Sequence, residues 1–156
     1  MIFISHRGNV AGANKRRENT CDYIDEAIEE GYDVEVDVRF MGGSLFLGHD
    51  CAERLVPLKW LAERRRELWI HAKNVDALLY LVANGEFKVF AHSSDPFTFI
   101  HNANLAWIHD LDLANNQSII PLIDKVDSVE RFEIADVRGV CSDYISFYEG
   151  KFKTNK

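Results

Sequence analysis

The stretch from residue 33 to residue 38 constrains the fold most, because acidic and aliphatic side chains alternate along it. In a β-strand, a period of two places the two kinds of side chain on opposite faces. The acidic face carries Asp33, Glu35 and Asp37, and the aliphatic face carries Val34, Val36 and Val38. The valines can pack under helices, whereas an unpaired carboxylate is costly to bury. The sequence therefore predicts a strand whose acidic face is either solvated or holds a divalent cation.

The rest of the chain alternates short apolar runs with helical patterns. Strands are predicted at residues 2–5, 33–38, 68–73, 87–91, 105–108, 118–123 and 140–142. Helices are predicted at 20–30, 57–67, 75–83, from Pro96 onward and at 129–135, and a turn at 41–44 leads into a returning strand at 45–47. This alternation indicates parallel pairing through right-handed crossovers. From a length of 156 residues we expect one α/β domain, residues 1–150, and a polar tail, residues 151–156.

Charge and apolar content argue against several classes of protein. The net charge of −7 disfavours non-specific nucleic-acid binding, and the basic run at 64–66 is expected to be a solvated helix face. No apolar run approaches the roughly 18 residues of a membrane span, so we expect no membrane insertion. The N-terminus lacks the apolar core of a signal peptide, and the three cysteines form no CxxC pair. These features predict a cytoplasmic protein.

Histidines recur at the carboxyl ends of the predicted strands. Five of the six lie there: His6, His49, His71, His92 and His109. In parallel α/β proteins these strand ends carry the chemistry. We expect one or two of the five to be only structural, His109 first and His92 second. Imidazoles, with a pKa of about 6.5, can transfer protons near neutrality, while a metal on Glu35 and Asp37 could polarise a phosphoryl oxygen.

Two basic residues could neutralise a phosphate near these histidines. Arg7, beside His6, could hold a phosphate bidentately, and Lys73 could add a point charge. The alternative interpretations are a surface salt bridge for Arg7 and an aliphatic stem covering apolar surface for Lys73. An acidic protein that acts on a phosphate ester needs such groups, or a metal, to offset charge repulsion.

Four motifs near the N-terminus occur in an order that is typical of one enzyme family. They are His6-Arg7-Gly8, Glu18-Asn19-Thr20, Glu35-Val36-Asp37-Val38 and His49-Asp50. With the segment at 139–144, Gly-Val-Cys-Ser-Asp-Tyr, they resemble the glycerophosphodiester phosphodiesterases of the phosphatidylinositol-phospholipase-C-like superfamily. The resemblance implies a TIM-barrel-like (β/α) barrel, here shortened, in which one strand–helix unit between His109 and Ser118 is missing or helices are replaced by loops. A homodimer would cover the open edge of such a barrel.

The resemblance also implies an activity and roles for individual residues. The activity is metal-dependent cleavage of a glycerophosphodiester or related small phosphodiester to an alcohol and a phosphomonoester. His6 and His49 would be the general acid and base. Glu35 and Asp37 would bind Mg²⁺ or Ca²⁺, and Arg7 would bind the phosphate.

One departure from the family pattern affects the metal. The segment at 71–73, His-Ala-Lys, stands where the family usually has Glu-x-Lys with the glutamate as third metal ligand. If His71 binds the metal instead, Mn²⁺ or Zn²⁺ would suit the site better than Ca²⁺. Glu18 and His92 are further candidates for accessory roles in the same site.

Two alternative functions stay open on the sequence alone. One is a lyase of the same fold that releases a cyclic phosphate, and the absence of an apolar membrane-facing loop argues against it. The other is a non-catalytic barrel that binds a phosphorylated ligand. The joint presence of His6 and His49 argues against this second alternative, because binding alone needs no pair of proton-transfer groups.

Overall fold

The computed structural model describes residues 1–123 and 137–154 of the chain. These residues contain ten strands and four short helices. The strands are β1 (Ile2–His6), β2 (Asp33–Met41), β3 (Ser44–Leu47), β4 (Arg54–Leu55), β5 (Leu68–Ala72), β6 (Lys88–Phe90), β7 (Phe97–Ile100), β8 (Leu105–Ile108), β9 (Ser118–Pro121) and β10 (Gly139–Ser142). The helices are α1 (Cys21–Glu29), α2 (Leu58–Glu63), α3 (Val75–Asn84) and α4 (Ile145–Thr154), and Leu111–Leu113 form a 3₁₀ turn. Within the described ranges, no helix is long and apolar enough to cross a membrane.

All ten strands belong to one mixed sheet. Seven neighbouring strands run parallel in the order β6-β5-β2-β1-β10-β9-β8, and they correspond to the seven strands predicted from the sequence. The hairpin strands β3 and β4 continue antiparallel from the end of β2, and β7 lies antiparallel to β8. The sheet curls into a half-barrel, and backbone hydrogen bonds between Val89 and His101 join its two flanks.

The TIM-barrel-like fold expected from the resemblance is wrong. The described chain is mostly sheet and has only four short helices. The helix predicted from Pro96 onward is a strand instead, because the aromatic and β-branched residues of Phe97–Ile100 pair with β8. Between β8 and β9 only the turn Leu111–Leu113 is helical, since the segment at 109–117 is too short for a crossover helix with its loops.

The bounds of two helices differ from those predicted from the sequence. The helix predicted at 57–67 is shorter and ends at Glu63. Helix α4 continues to Thr154, so it includes the first residues of the segment that was predicted as a polar tail. The helix predicted at 129–135 lies outside the described residues.

The alternation along β2 organises the packing on both faces of the sheet. Val34, Val36 and Val38 are fully buried among side chains of α1, α2 and α3, and burying each is worth about 1.5–3 kcal/mol. The inside of the curl is filled by apolar residues from seven strands: Ile4, Trp69, Phe90, Ile100, Trp107, Ile119 and Cys141. This inner core leaves the carboxyl ends of β1, β2 and β5 to polar side chains.

Candidate functional site

A cavity of about 460 Å³ opens at the carboxyl ends of the parallel strands. All five histidines predicted at strand ends line it: His6, His49, His71, His92 and His109. Glu35 and Lys73 line it as well, with Trp107 among the apolar residues. The topology thus brings together residues that are far apart in the sequence, because parallel strands end at the same edge of a sheet.

Two buried carboxylates on β2 form the centre of the site. Glu35 is 2% exposed and Asp37 is 0% exposed. Asp37 Oδ2 lies 2.8 Å from Arg7 Nε and accepts a hydrogen bond of 2.9 Å from Asn19 Nδ2. Lys73 Nζ lies 3.7 Å from Asp37 Oδ1. Asp37 is therefore surrounded by donors and positive charge, which compensate for its burial.

The two carboxylates have opposite pKa shifts. Burial and the neighbouring charge of Asp37 raise the pKa of Glu35 well above its ordinary value. Burial alone would also raise the pKa of Asp37, but hydrogen bonding to His71, the charge of Arg7 and the Asn19 hydrogen bond outweigh it and lower that pKa. At neutral pH, Asp37 therefore keeps its negative charge, whereas Glu35 retains a proton more readily.

His71 on β5 completes a group of three side chains that could hold a metal ion. Its Nδ1 lies 3.3 Å from Asp37 Oδ1 and 3.7 Å from Glu35 Oε1. One donor atom from each of the three residues lies within 4.8 Å of the others. Glu35 Oε2 is buried and has no hydrogen-bond partner among the described residues, so this oxygen is available to a cation. Asp37 Oδ1 is also buried and faces His71, the third member of the group. These three side chains could therefore hold a metal ion.

His6, at the end of β1, is held by a carboxylate that the sequence reasoning missed. Its Nδ1 lies 2.7 Å from Asp143 Oδ1, and its Nε2 lies 3.8 Å from Glu35 Oε2. Because an ionised carboxylate can only accept, the imidazole donates this hydrogen bond and its Nε2 faces Glu35. Burial lowers the pKa of His6, but the hydrogen bond to Asp143 and the charge of Glu35 outweigh it, so the net pKa is raised.

Asn9 and Glu18 form hydrogen bonds that help to hold His6 and Arg7 in place. Asn9 Nδ2 donates to Asp143 Oδ1 at 2.8 Å and to Glu18 Oε1 at 3.1 Å. Arg7 Nη1 donates to Glu18 Oε2 at 3.3 Å. Since Arg7 is paired with two carboxylates and is not among the residues that line the cavity, its geometry favours holding Asp37 in place. Its predicted phosphate contact stays a prediction.

Asn19 lies in the Glu18-Asn19-Thr20 motif, in which either Asn19 or Thr20 could cap the helix that follows. The cap is Thr20, whose hydroxyl oxygen accepts from the Tyr23 backbone N–H at 3.3 Å. Asn19 has a left-handed backbone with φ of 55°, and its side chain binds Asp37 twice. Its Oδ1 accepts the Asp37 backbone N–H at 3.0 Å. The sequence signal for this contact was the Glu18-Asn19-Thr20 motif. Because Thr20 caps the helix, Asn19 is available for another role.

His49 differs from His6 and His71 because it lies outside the strands, on a loop. It follows β3, and its side chain is 40% exposed. Its Nδ1 lies 2.7 Å from Asp50 Oδ1, and the residue lines the same cavity as His6. The structure therefore brings both predicted proton-transfer histidines to one cavity. His6 is held there by Asp143, whereas His49 lies on the solvent-exposed side of the cavity.

His92 and His109 form a pair beside His71. Their Nε2 atoms are 3.2 Å apart, and the ring of His92 stacks on that of His71 with centroids 4.6 Å apart. Burial and the neighbouring histidines lower the pKa of His92 to about 4, and burial lowers the pKa of His109. Both rings are therefore neutral at pH 7.

A second cavity, of about 470 Å³, lies at the amino ends of the strands. Two of its charged residues are paired: Lys88 Nζ is 3.4 Å from Asp33 Oδ2, which also accepts the Trp69 indole N–H at 2.7 Å. Asp33 thus shares the inner face of β2 with Glu35 and Asp37 but belongs to the other end of the sheet. Because the carboxylate in its lining is already paired with Lys88 and Trp69, this cavity is a weaker candidate for chemistry.

No protein-family model, curated protein or solved structure matches the chain. The functional interpretation therefore depends on the geometry of the cavity and on the motifs in the sequence.

Proposed function

We propose that this protein is a metal-dependent phosphodiesterase that cleaves a glycerophosphodiester or a related small phosphodiester to an alcohol and a phosphomonoester. One observation supports the proposal most: Glu35, His71 and the two candidate proton-transfer histidines line one cavity, and Asp37 lies behind them, 3.3 Å from His71. The cavity volume of about 460 Å³ is in the range of small-molecule sites, about 300–1,000 Å³.

Glu35, Asp37 and His71 would hold the divalent cation. When bound, the cation would neutralise phosphate charge and polarise a phosphoryl oxygen. The mixed set of two carboxylates and one imidazole favours Mn²⁺ or Zn²⁺, while Mg²⁺ or Ca²⁺ is what the family resemblance implies. Lys73 lines the cavity beside this group and would attract an anionic substrate.

His6 and His49 would divide the proton transfers between them. Asp143 orients the His6 ring so that Nε2 is directed toward the cavity, and it stabilises the imidazolium that forms when His6 takes a proton. One histidine accepts the proton of the attacking hydroxyl, which belongs to water or to the substrate itself. The other donates a proton to the oxygen of the departing alcohol, so that charge does not build up on the leaving group.

The test is ³¹P NMR of glycerophosphodiesters incubated with the purified protein and Mg²⁺, Ca²⁺, Mn²⁺ or Zn²⁺. We expect a phosphomonoester resonance with at least one metal, and we expect His6→Ala to abolish it. The matched control is His101→Ala, because His101 lies outside the cavity-lining set, and this variant should keep full activity.

Three other outcomes would contradict the proposal. A cyclic phosphate as the end product would indicate the lyase instead. A ligand-dependent rise in melting temperature without any product would indicate a binding protein. Equal turnover by His6→Ala and the unmodified protein would remove the acid–base role on which the proposal depends.

A further inference from the structure

Two histidines at the side of the cavity hold their ring nitrogens at the spacing of metal ligands. Nε2 of His92 lies 3.2 Å from Nε2 of His109. Two nitrogens bound to one Zn²⁺ at about 2.0–2.1 Å, with a tetrahedral angle between them, lie about 3.3 Å apart. We propose that His92 and His109 form a second metal site, for a transition-metal cation such as Zn²⁺, that is separate from the acidic group on β2.

The fold fixes the position of both rings before any metal binds. His92 follows β6 and His109 follows β8, on either side of β7. The His109 backbone N–H donates to the Pro96 carbonyl oxygen at 2.8 Å. The His92 ring lies nearly parallel to that of His71, at an interplanar angle of 10°. A cation that binds here therefore orders little additional structure.

The ligand chemistry of this pair differs from that of the acidic group. Glu35 and Asp37 supply oxygen ligands, which suit Mg²⁺, Ca²⁺ and Mn²⁺. His92 and His109 supply imidazole nitrogens, which favour Zn²⁺, Cu²⁺ and Ni²⁺ over Mg²⁺ and Ca²⁺. The two sites should therefore differ in metal selectivity, although they open into the same cavity.

The pair leaves most of the coordination sphere open. Among residues 1–123 and 137–154, only Glu35, Asp37 and His71 bring three metal-binding donors together. The second site thus offers two protein ligands, and water or a ligand in the cavity would occupy the remaining positions. Such open coordination is typical of exchangeable or catalytic ions rather than structural ones. The inference does not depend on the proposed phosphodiesterase activity.

Isothermal titration of the metal-free protein with Zn²⁺ alone tests the second site. We expect two equivalents for the unmodified protein and one for His109→Gln and for His92→Phe, which keeps an aromatic ring to stack on His71. Affinity for the second equivalent should fall at least tenfold. The control His101→Gln should still bind two equivalents. Glu35→Gln should lose the acidic site and keep the histidine site, so the two sites can be distinguished.

A neutral N–H···N hydrogen bond between the two rings would give a similar distance between the nitrogens. The Zn²⁺ titration distinguishes this hydrogen bond from a metal site, because only a metal site binds the added cation. A single Zn²⁺ equivalent that Glu35→Gln loses and His109→Gln keeps would overturn the proposal. Two equivalents of unchanged affinity in both His109→Gln and His92→Phe would also overturn it. Circular dichroism of each variant checks that the fold is retained. Electron paramagnetic resonance of bound Cu²⁺ gives a second readout, in which coupling to two nitrogens should disappear from His109→Gln.

Discussion

Asp143→Asn should lower the pKa of His6 and slow turnover while leaving the fold intact. The new amide oxygen can still accept from His6 Nδ1 and Asn9 Nδ2, which now lie 2.7 and 2.8 Å from Asp143 Oδ1. Only the negative charge is lost. A hydrogen bond to a charged group contributes about 1.5–3 kcal/mol and a neutral one about 0.5–1.5 kcal/mol, so the imidazolium loses about 1–1.5 kcal/mol. This corresponds to about a five- to twelvefold change in the protonation equilibrium.

Two measurements check this value. Proton NMR of the metal-free protein should show His6 titrating at lower pH in the variant, and kcat should fall by about the same factor of five to twelve. Because the folded-state pKa of His6 is raised, its contribution to stability is present below the unfolded value and is lost as pH rises through the folded value. The free energy of unfolding should therefore differ more between the two proteins at pH 5 than at pH 9.

Asp50→Asn is the matched control for stability. Asp50 Oδ1 also lies 2.7 Å from a histidine nitrogen, His49 Nδ1, but this pair is exposed to solvent. A solvent-exposed pair contributes little to stability, so the control should show almost no pH-dependent change in stability. If the titration of His6 and kcat are the same in Asp143→Asn and the unmodified protein, the carboxylate does not act on the imidazole.

Three further substitutions test the acidic group. Glu35→Gln should weaken metal binding by about 100-fold or more in calorimetry, yet change the unfolding free energy of the metal-free protein by less than about 1 kcal/mol in urea denaturation, because a neutral amide of similar shape replaces a buried carboxyl group that tends to hold its proton; a large loss of stability would contradict this. His71→Glu should shift metal preference toward Mg²⁺ or Ca²⁺ in competition titrations, and an unchanged preference would exclude His71 as a ligand. Asn19→Ala should destabilise the protein by about 1–3 kcal/mol, since Asp37 loses two hydrogen bonds, whereas the exposed Asn84→Ala should cost less than about 0.5 kcal/mol; equal melting temperatures would refute the role of Asn19.

Local alternation was enough to predict the central strand. The face on which a strand residue lies is set by its position relative to its neighbours, so the sequence separated the valines from the acids. The structure confirms that Val36 faces the helices while Glu35 and Asp37 face inward. It also confirms, at the level of a possible metal site, that the acidic pair lies beside His71.

Partners that are distant in the sequence could not be predicted in this way. Asp143 contacts His6 across 137 positions of the sequence, and this contact exists only because β10 pairs with β1. Asn19 makes two hydrogen bonds with Asp37, 18 positions away, and the local sequence around Asn19 does not contain this contact.

The curvature and composition of the sheet were the least predictable features. An aspartate followed by Pro96 is typical of a helix start, but the residues Phe97–Ile100 gain more by pairing with β8 than by forming a helix. Strand pairing is decided by tertiary contacts, which a local pattern does not contain. The phosphodiesterase activity, a homodimer and a cytoplasmic location stay predictions.

X-ray diffraction at the manganese absorption edge, from crystals grown with Mn²⁺ and inorganic phosphate, tests the central claim most directly. The account predicts an anomalous peak within about 2.0–2.3 Å of oxygens from Glu35 and Asp37 and of a His71 nitrogen. The phosphate should lie in the same cavity, within hydrogen-bond reach of His6 Nε2. A manganese peak away from the acidic pair, or a phosphate bound out of reach of His6, would contradict the account.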